Sequence, residues 1–518
     1  MNKQTIQPTQ SHLQNNKRIA KNTMMLYIRQ IIVTIVGLYT VRIVLNNLGV
    51  EDYGVYAVVG GIVAMLSFLT GTMSSATQRF FSFYLGQNNQ QKLKQVFSVN
   101  NIIYLILVAI VFLLLETIGL WFIKNELSIP AGREDAVHFI FQFSILTFVA
   151  NMLASPFRAA INAHEDMQIY AYLSILDVVL KLLVAYLLVY ISFDKLKLYS
   201  VLLFVSSVIV TIVYAIICCV KYQECQFRKT YWDKSIFKEI MDFTGWTLFG
   251  QVTTMLRTQA TTVLINQYFT PITVASRAIA TQVTSQLNTF SSNFNASLYP
   301  PIIKSYSSGH LDEMYKLIYR GSKIAFFLMW VFALPMVVYM DEILTIWLKN
   351  VPERAVLFTR LALAEVLIQS ISTPIMTAAR APGKMKMYEL ILGAIQIALF
   401  LIAWLVFSLG YPDYSVYFVI IGINILMFFV RLIIVKYLTG LPLKPFIFDV
   451  ALRMFAVAVI SMIIFVLLAK VFPTTLLYVV IVGTIGTAIN CLAMLYLGFN
   501  KIDRTAITNM VISKLKRK

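Results

Sequence analysis

The chain has 518 residues, 59% of them hydrophobic and only 13% charged, with a mean hydropathy of +0.75, which excludes a soluble globular protein. A formal charge of +19 would suit a nucleic-acid partner, but in so apolar a chain the cations are first a matter of topology, and no nucleic acid is expected. The fold class expected is an all-α polytopic membrane protein.

The first twenty residues, MNKQTIQPTQSHLQNNKRIA, are polar, and the first apolar run is long enough to span by itself, so no cleavable signal is expected. Apolar windows of about 20 residues fall at 24–45, 54–75, 96–118, 136–156, 169–192 and 197–220. A second set falls at 241–265, 272–299, 323–346, 355–379, 387–409, 414–436, 446–470 and 474–498, which predicts fourteen transmembrane helices. Counted in alternate loops, 28 of the 43 Lys and Arg lie on the side of the N-terminus, 7 on the other and 8 within spans, which predicts both termini in the cytoplasm. No loop is long enough for a soluble domain, which excludes a glycosyltransferase or hydrolase domain. Cys218, Cys219, Cys225 and Cys491 follow no pairing or metal-ligand spacing and are expected to be reduced and structural. No metal and no cofactor is expected.

The two sets resemble each other. ASPFRAAINAHEDMQIYAYL at 154–173 aligns without gaps to STPIMTAARAPGKMKMYELI at 372–391, matching Pro156 with Pro374, Ala160 with Ala378, Met167 with Met385 and Tyr170 with Tyr388 at an offset of 218. VLNN at 44–47 lies against LINQ at 264–267 with offset 220, and YLGQNNQQKLKQV resembles YSSGHLDEMYKLI with offset near 222. A period of six helices preserves direction, so parallel repeats are expected, with the substrate path between two lobes. The layout expected is a cytoplasmic N-terminal segment 1–23, an N-lobe 24–220 and a cytoplasmic linker 221–240. A C-lobe 241–437, an accessory helix pair 438–498 and a basic cytoplasmic tail 499–518 follow.

Eight cations fall inside spans: Arg29, Arg42, Lys181, Arg257, Arg277, Arg360, Arg431 and Arg453. A guanidinium at the centre of a spanning helix costs roughly 2.5–3.5 kcal/mol on insertion scales, so such residues face a cavity or a partner. Arg431 and Arg453 lie near cytoplasmic helix ends and Arg277 and Arg360 near external ends, within reach of headgroups by snorkelling. Lys181 sits mid-span, four residues after Asp177 on the same helix face, a spacing that suits a salt bridge or a part in substrate or proton handling. Arg29 and Arg257 have no acid within one turn on their own helices and are the first-span cations of their lobes. The eighth span is unusually polar, with Thr281, Thr284, Ser285, Gln286, Asn288, Ser291, Ser292 and Asn293 in series, and reads as a water-lined wall. An electropositive cavity suits an anion, arginine's planar fork fits phosphate oxygens, and a hydroxyl- and amide-rich wall such as that of Gln286 and Asn288 suits sugar. A phosphate-bearing, glycosylated substrate is the expectation. Prolines Pro156, Pro374, Pro300 and Pro301, the last two ending the eighth span, are the expected hinges.

The segment YIRQIIVTIVGLYTVRIVLNNLGVEDYGVYAVVGGIVAMLSFL, with its LG-x-x-DYG-x-Y pattern at Leu48, Gly49, Asp52, Tyr53, Gly54 and Tyr56, resembles the opening of the bacterial Wzx-type polysaccharide flippases. Those belong to the multidrug/oligosaccharidyl-lipid/polysaccharide exporter superfamily, MATE-like in fold, and the resemblance extends over roughly residues 15 to 440 through SPFRAAINAHEDM and GWTLFGQ. It implies alternating access that moves an undecaprenyl-pyrophosphate-linked oligosaccharide from the cytoplasmic to the periplasmic leaflet of the bacterial inner membrane, for O-antigen or capsule synthesis. It implies work beside a polysaccharide polymerase and a chain-length regulator. Lipid II flippases of the superfamily hold pyrophosphate in a cationic cavity; the resemblance carries that role to Arg29 and Arg257 by their place in the lobes, and more loosely to Arg42 and Arg277. Within the LG-x-x-DYG pattern Gly49 is expected to end the first helix, Asp52 to cap the next and Gly54 to allow close packing.

Multidrug exporters of the superfamily that bind cationic drugs use acids in spans 1 or 7, and neither 24–45 nor 244–265 has one. Asp177 is the candidate for ion coupling. The competing readings are a small-molecule exporter driven by H⁺ or Na⁺ and a membrane scaffold for polysaccharide assembly. An enzyme is not expected, for no span or loop carries paired carboxylates, a nucleophile with its base, or metal-ligand spacing.

Overall fold

The computed structural model describes residues 10–126, 133–191, 194–226, 231–348, 350–472, 476–500 and 504–505. Residues 1–9 of the expected N-terminal segment, 227–230 of the expected linker and all of the expected tail but 499, 500, 504 and 505 lie outside the described residues. Among the described residues every regular element is helical. In hydrocarbon only a helix or a closed barrel pairs all its backbone groups internally, and long apolar windows without strand alternation take the first solution.

One compact unit comprises Met1–Leu248 with Tyr306–Ser308. Its helices are α1 (Gln10–Ala64), α2 (Ser67–Gly86), α3 (Gln90–Leu114), α4 (Leu120–Glu126), α5 (Glu134–Ala163), α6 (Met167–Tyr190) and α7 (Lys195–Lys221). A π-helical turn at Leu115–Gly119 joins α3 to α4. The long helix α8 (Lys234–Tyr268) crosses from this unit into the second, which comprises Phe249–Ser305 and Gly309–Lys518. That unit contains α9 (Pro271–Ser307), α10 (Leu311–Val338), α11 (Met340–Leu348), α12 (Ala355–Arg380), α13 (Lys386–Ser408) and α14 (Ser415–Thr439). It ends with α15 (Leu443–Phe446), α16 (Leu452–Val471) and α17 (Leu476–Ala493).

Among the described residues eleven helices, or twelve with a bent pair counted as one span, are long and apolar enough to cross a membrane. The protein is a multi-pass membrane protein on that ground. The bent pair is Asp52–Ala64 with Ser67–Gly86, which meet at 43°. α8 and α9 cover the seventh and eighth windows as helices but carry too many hydroxyls and amides to pass as apolar spans.

In the LG-x-x-DYG segment the first helix ends at Gly49, as expected, and the next begins at Asp52. Gly49 breaks α1 at φ 81°, ψ 169°, a backbone region that only glycine enters cheaply. Asp52 pairs with Arg133 at 2.6 Å, and the same guanidinium reaches Asp194 at 3.2 Å, so the motif is fastened to the starts of α5 and α7. A Cβ at Gly54 would meet nothing within 4 Å, so close packing is not its reason. Pro300 and Pro301 do not end the eighth span, since α9 continues through them to Ser307; Pro156 and Pro374 also lie inside helices.

The two units repeat local features. α5 packs on α7 and α3 and α6 on α7, as α12 packs on α14 and α10 and α13 on α14. Glu165, in the turn after α5, adopts φ 65°, and its counterpart at offset 218, Gly383 after α12, adopts φ 82°. Asn88 at φ 52° and Gly309 at φ 79° stand in the other pair of matched loops. A non-glycine residue in the left-handed region needs surrounding contacts that over-determine it. Glu165 has them: Arg18 Nε lies 2.8 Å from its carboxylate and Asn22 Nδ2 donates to its carbonyl at 3.1 Å. Beside it His164 meets Glu224 at 2.5 Å, and Tyr222 Oη donates to Asp166 at 2.5 Å. Burial pushes the Glu224 carboxyl up, but hydrogen bonds from His164 and from its own backbone N–H outweigh it and leave the group below the usual carboxylate range. All four cysteines are free thiols.

Replacing Gly49 with Ala is expected to cost on the order of 1–3 kcal/mol and to lower the Tm of the detergent-solubilised protein, whereas Gly54→Ala leaves Tm within error. A depressed carboxyl stabilises the fold fully above its unfolded value, about 4.3, and that stability is lost as pH falls through the lower folded value. Tm followed from neutral pH down to strongly acid pH is therefore expected to fall less in Glu224→Gln than in wild type.

Candidate functional site

The expected site residues fall in two groups, one in each unit. In the first unit Arg29 on α1 donates from Nη1 to Tyr170 Oη on α6 at 3.3 Å and from Nη2 to Gln30 Oε1 at 3.1 Å. Its guanidinium also lies 5.0 Å from the centre of the Tyr170 ring, a cation–π distance. Gln30 continues the chain of polar contacts to Thr34 at 3.2 Å. On α6, Lys181 Nζ donates to Asp177 Oδ2 at 2.8 Å, the contact its four-residue spacing predicts. Arg42 does not join this group. It is exposed, and thirteen residues at about 100° each turn it roughly 220° around α1 from Arg29.

In the second unit Arg257 on α8 meets an acid that the sequence reading did not weigh. Its Nη2 lies 3.5 Å from Glu365 Oε1 on α12, with side chains 15% and 20% exposed. Asn424 on α14 donates to the same carboxylate oxygen at 3.4 Å while also donating to the carbonyl of Ile420 at 2.9 Å. Arg277 lies on α9. It is buried, donates from Nε to Thr262 Oγ1 at 3.3 Å, and lies 5.9 Å from the ring centre of Tyr417 on α14. Tyr417 and Asn424 are seven residues apart, which puts them on one face of α14 about 10.5 Å along it. One helix face therefore serves both arginines. Arg360, expected at a headgroup, instead closes the C-terminus of α10, donating to the carbonyls of Val337 at 2.8 Å and Val338 at 3.4 Å and pairing with Asp341 at 2.9 Å.

Six of the eight polar residues in the α9 series, Thr281, Thr284, Ser285, Asn288, Ser291 and Ser292, fall within about 120° around the helix, with Gln286 and Asn293 off that face. Thr281, Ser285, Gln286 and Ser292 are exposed, Thr284, Ser291 and Asn293 are buried, and Asn288 is half-buried. Gln286 follows Arg277 by nine residues and faces about 180° away, while Asn288 follows by eleven and shares its face three turns along. The exposed hydroxyls are satisfied by their own helix, Thr281 by the carbonyl of Arg277 at 2.9 Å and Ser285 by that of Gln282 at 2.8 Å. On α8 the ladder Thr254, Thr258 and Thr262 does the same at 2.8, 3.0 and 3.1 Å. Such back-bonding leaves hydroxyl oxygens able to accept a further hydrogen bond, as Thr262 does from Arg277.

A cavity of about 180 Å³ within the first unit is lined by Tyr56, Ser144, Thr147, Asn151 and Ser200 among others. None of the expected site residues lines it, and no charge within a window pointed to it.

Residues 19–305 match the family model described as polysaccharide biosynthesis protein. The chain belongs to that family. No curated protein matches it in sequence. The fold of this polysaccharide biosynthesis protein is that of MATE transporters. An outward-facing multidrug-resistance MATE family transporter of the MOP superfamily superposes with a TM-score of 0.69 at 12% identity, over 82% of this chain and 95% of that one. The MATE transporter ClbM in complex with Rb⁺ gives 0.69 at 15% identity over 80% and 94%. The bent form of the Vibrio cholerae MATE transporter VcmN gives 0.65 at 15% over 82% and 98%.

Breaking a fully buried ion pair by removing one partner costs about 3–5 kcal/mol, and partial exposure reduces it. Glu365→Gln and Arg257→Gln are each expected to destabilise by about 1–2 kcal/mol, and the double variant by less than the sum. The interaction term comes from the four denaturation midpoints. For the more exposed Asp177–Lys181 pair the same cycle is expected to give under about 1 kcal/mol.

Proposed function

We propose that the protein moves an undecaprenyl-pyrophosphate-linked oligosaccharide from the cytoplasmic to the periplasmic leaflet of a bacterial inner membrane by alternating access, for envelope polysaccharide synthesis such as O-antigen or capsule. The observation that carries the reading is the pair of guanidiniums on α8 and α9, Arg257 and Arg277, set beside runs of hydroxyl and amide side chains within expected spans. Arginine forks bind phosphate oxygens and hydroxyl-lined helices bind sugar, and the polysaccharide biosynthesis family makes a glycosylated lipid the natural cargo. In the first unit Arg29 and Lys181 supply cations, with Arg42 on a separate face.

In this reading the chain crosses the membrane fourteen times with both termini in the cytoplasm, α8 and α9 being polar spans that tolerate their hydroxyls by back-bonding. The segments 24–220 and 241–437 act as parallel lobes, which the repeated left-handed turns at Glu165 and Gly383 support. The helices of 438–498 are accessory. Polymerase and chain-length regulator are its partners in assembly.

A second reading, a small-molecule exporter coupled to H⁺ or Na⁺, draws support from the carboxylates of Glu365 and Asp177 within the helices. Sealed proteoliposomes separate the two. The fraction of a pyrophosphate-linked oligosaccharide lipid reached by an impermeant reagent is expected to rise with wild type and to stay near the protein-free value, at least tenfold slower, with Arg29→Ala and Arg257→Ala that remain folded at the assay temperature. Wild type that moves no lipid under any imposed ion gradient would sink the flippase reading and favour the exporter.

A further inference from the structure

We propose that Glu365 is an internal stand-in for the substrate's phosphate: its carboxylate neutralises Arg257 in the empty carrier and is displaced when a phosphate takes its place, so that loading is an exchange of anions. The inference rests on the proposed function. An unpaired guanidinium inside a helix bundle is costly, so a carrier whose cargo is an anion needs some counter-charge for its empty state. Glu365 is placed to supply it and is held loosely. Its distance to Arg257 is 3.5 Å, against 2.6 Å for Arg133 with Asp52 and 2.8 Å for Arg18 with Glu165, two pairs that fasten helix ends and turns. Its other contact, from Asn424, is 3.4 Å long, and that amide keeps its 2.9 Å bond to Ile420 whether or not the carboxylate stays.

Charge arithmetic favours exchange over simple addition. Arg257 and Arg277 bring two positive charges and Glu365 one negative, while Arg277 donates to the neutral hydroxyl of Thr262. A pyrophosphate diester has one ionised oxygen on each phosphate and needs two cations. It obtains the second only when the carboxylate withdraws. A single small anion such as orthophosphate competes with Glu365 at Arg257 without the added reach to Arg277, so it is bound more weakly at the same cost of displacing the carboxylate.

The test measures binding of farnesyl pyrophosphate and of inorganic phosphate to the purified full chain by calorimetry. Glu365→Gln keeps the shape and the Asn424 contact and is expected to bind farnesyl pyrophosphate about tenfold tighter than wild type, the equivalent of about 1.4 kcal/mol, and to gain comparably for inorganic phosphate while farnesyl pyrophosphate stays preferred. Glu365→Asp, which retains the charge but shortens its reach, is expected to fall between them, and Arg257→Gln in the Glu365→Gln background to abolish the gain. Binding in Glu365→Gln equal to or weaker than wild type, or a gain that survives loss of Arg257, would overturn the proposal while leaving the flippase reading standing. Absence of farnesyl pyrophosphate binding in wild type and Glu365→Gln alike would overturn both.

Discussion

The structure depends on the cost of leaving a charge or a polar backbone group unsatisfied where water is scarce. The apolar windows become helices because helices close their own hydrogen bonds, and the charges among them are kept by specific acceptors. Arg257 has Glu365, Arg29 has a tyrosine ring and hydroxyl, Arg277 a threonine and a tyrosine face, and Lys181 an aspartate one turn away. Arg360 takes the open carbonyls at a helix end. Five solutions to one problem differ in strength, and that difference sorts them. Arg133 with Asp52, Arg18 with Glu165 and Lys181 with Asp177 meet at 2.6–2.8 Å, whereas Arg257 stands 3.5 Å from Glu365 and Arg277 3.3 Å from Thr262.

Hydropathy made the helices legible in order and type, because spanning length and apolar content leave few alternatives. It was least decisive at α8 and α9, where threonine, serine, asparagine and glutamine lower the apolar content but hold the helix through bonds to the preceding turn. The fastening of Asp52 to Arg133 was illegible, since the two are joined only by the fold. Local roles assigned to Gly54 and to Pro300–Pro301 failed for a related reason. A glycine is small whether or not something approaches it, and a proline inside a helix removes one bond without ending it.

The candidate site was half legible. Spacing along one helix predicts contacts along that helix, so Asp177 with Lys181 was found, whereas Glu365 lies more than a hundred residues from Arg257 in sequence and was passed over in a search for acids on the arginine's own helix. A signal existed: an acid in the middle of ALAEVLIQ is as anomalous as an arginine in a span and demanded a partner by the same argument. Tyr170 was noted as a repeat match with Tyr388 but not as an arginine's acceptor.

The repeat itself limits what the two halves share. At the offset of 220 that relates the first helices, Arg257 stands against Gly37 rather than Arg29, and Arg42 against Thr262, the acceptor of Arg277. At the offset of 218, Glu365 stands against Thr147, which lines the polar cavity of the first unit, and Asp177 and Lys181 stand against Ile395 and Leu399. The turns and packing partners repeat while the charged positions do not. Left-handed turns thus recur in both units while the charged positions differ between them. A symmetric ligand site has no use for such a difference. The cargo proposed above is asymmetric in the same sense, with a pyrophosphate at one end of its head and neutral sugar at the other.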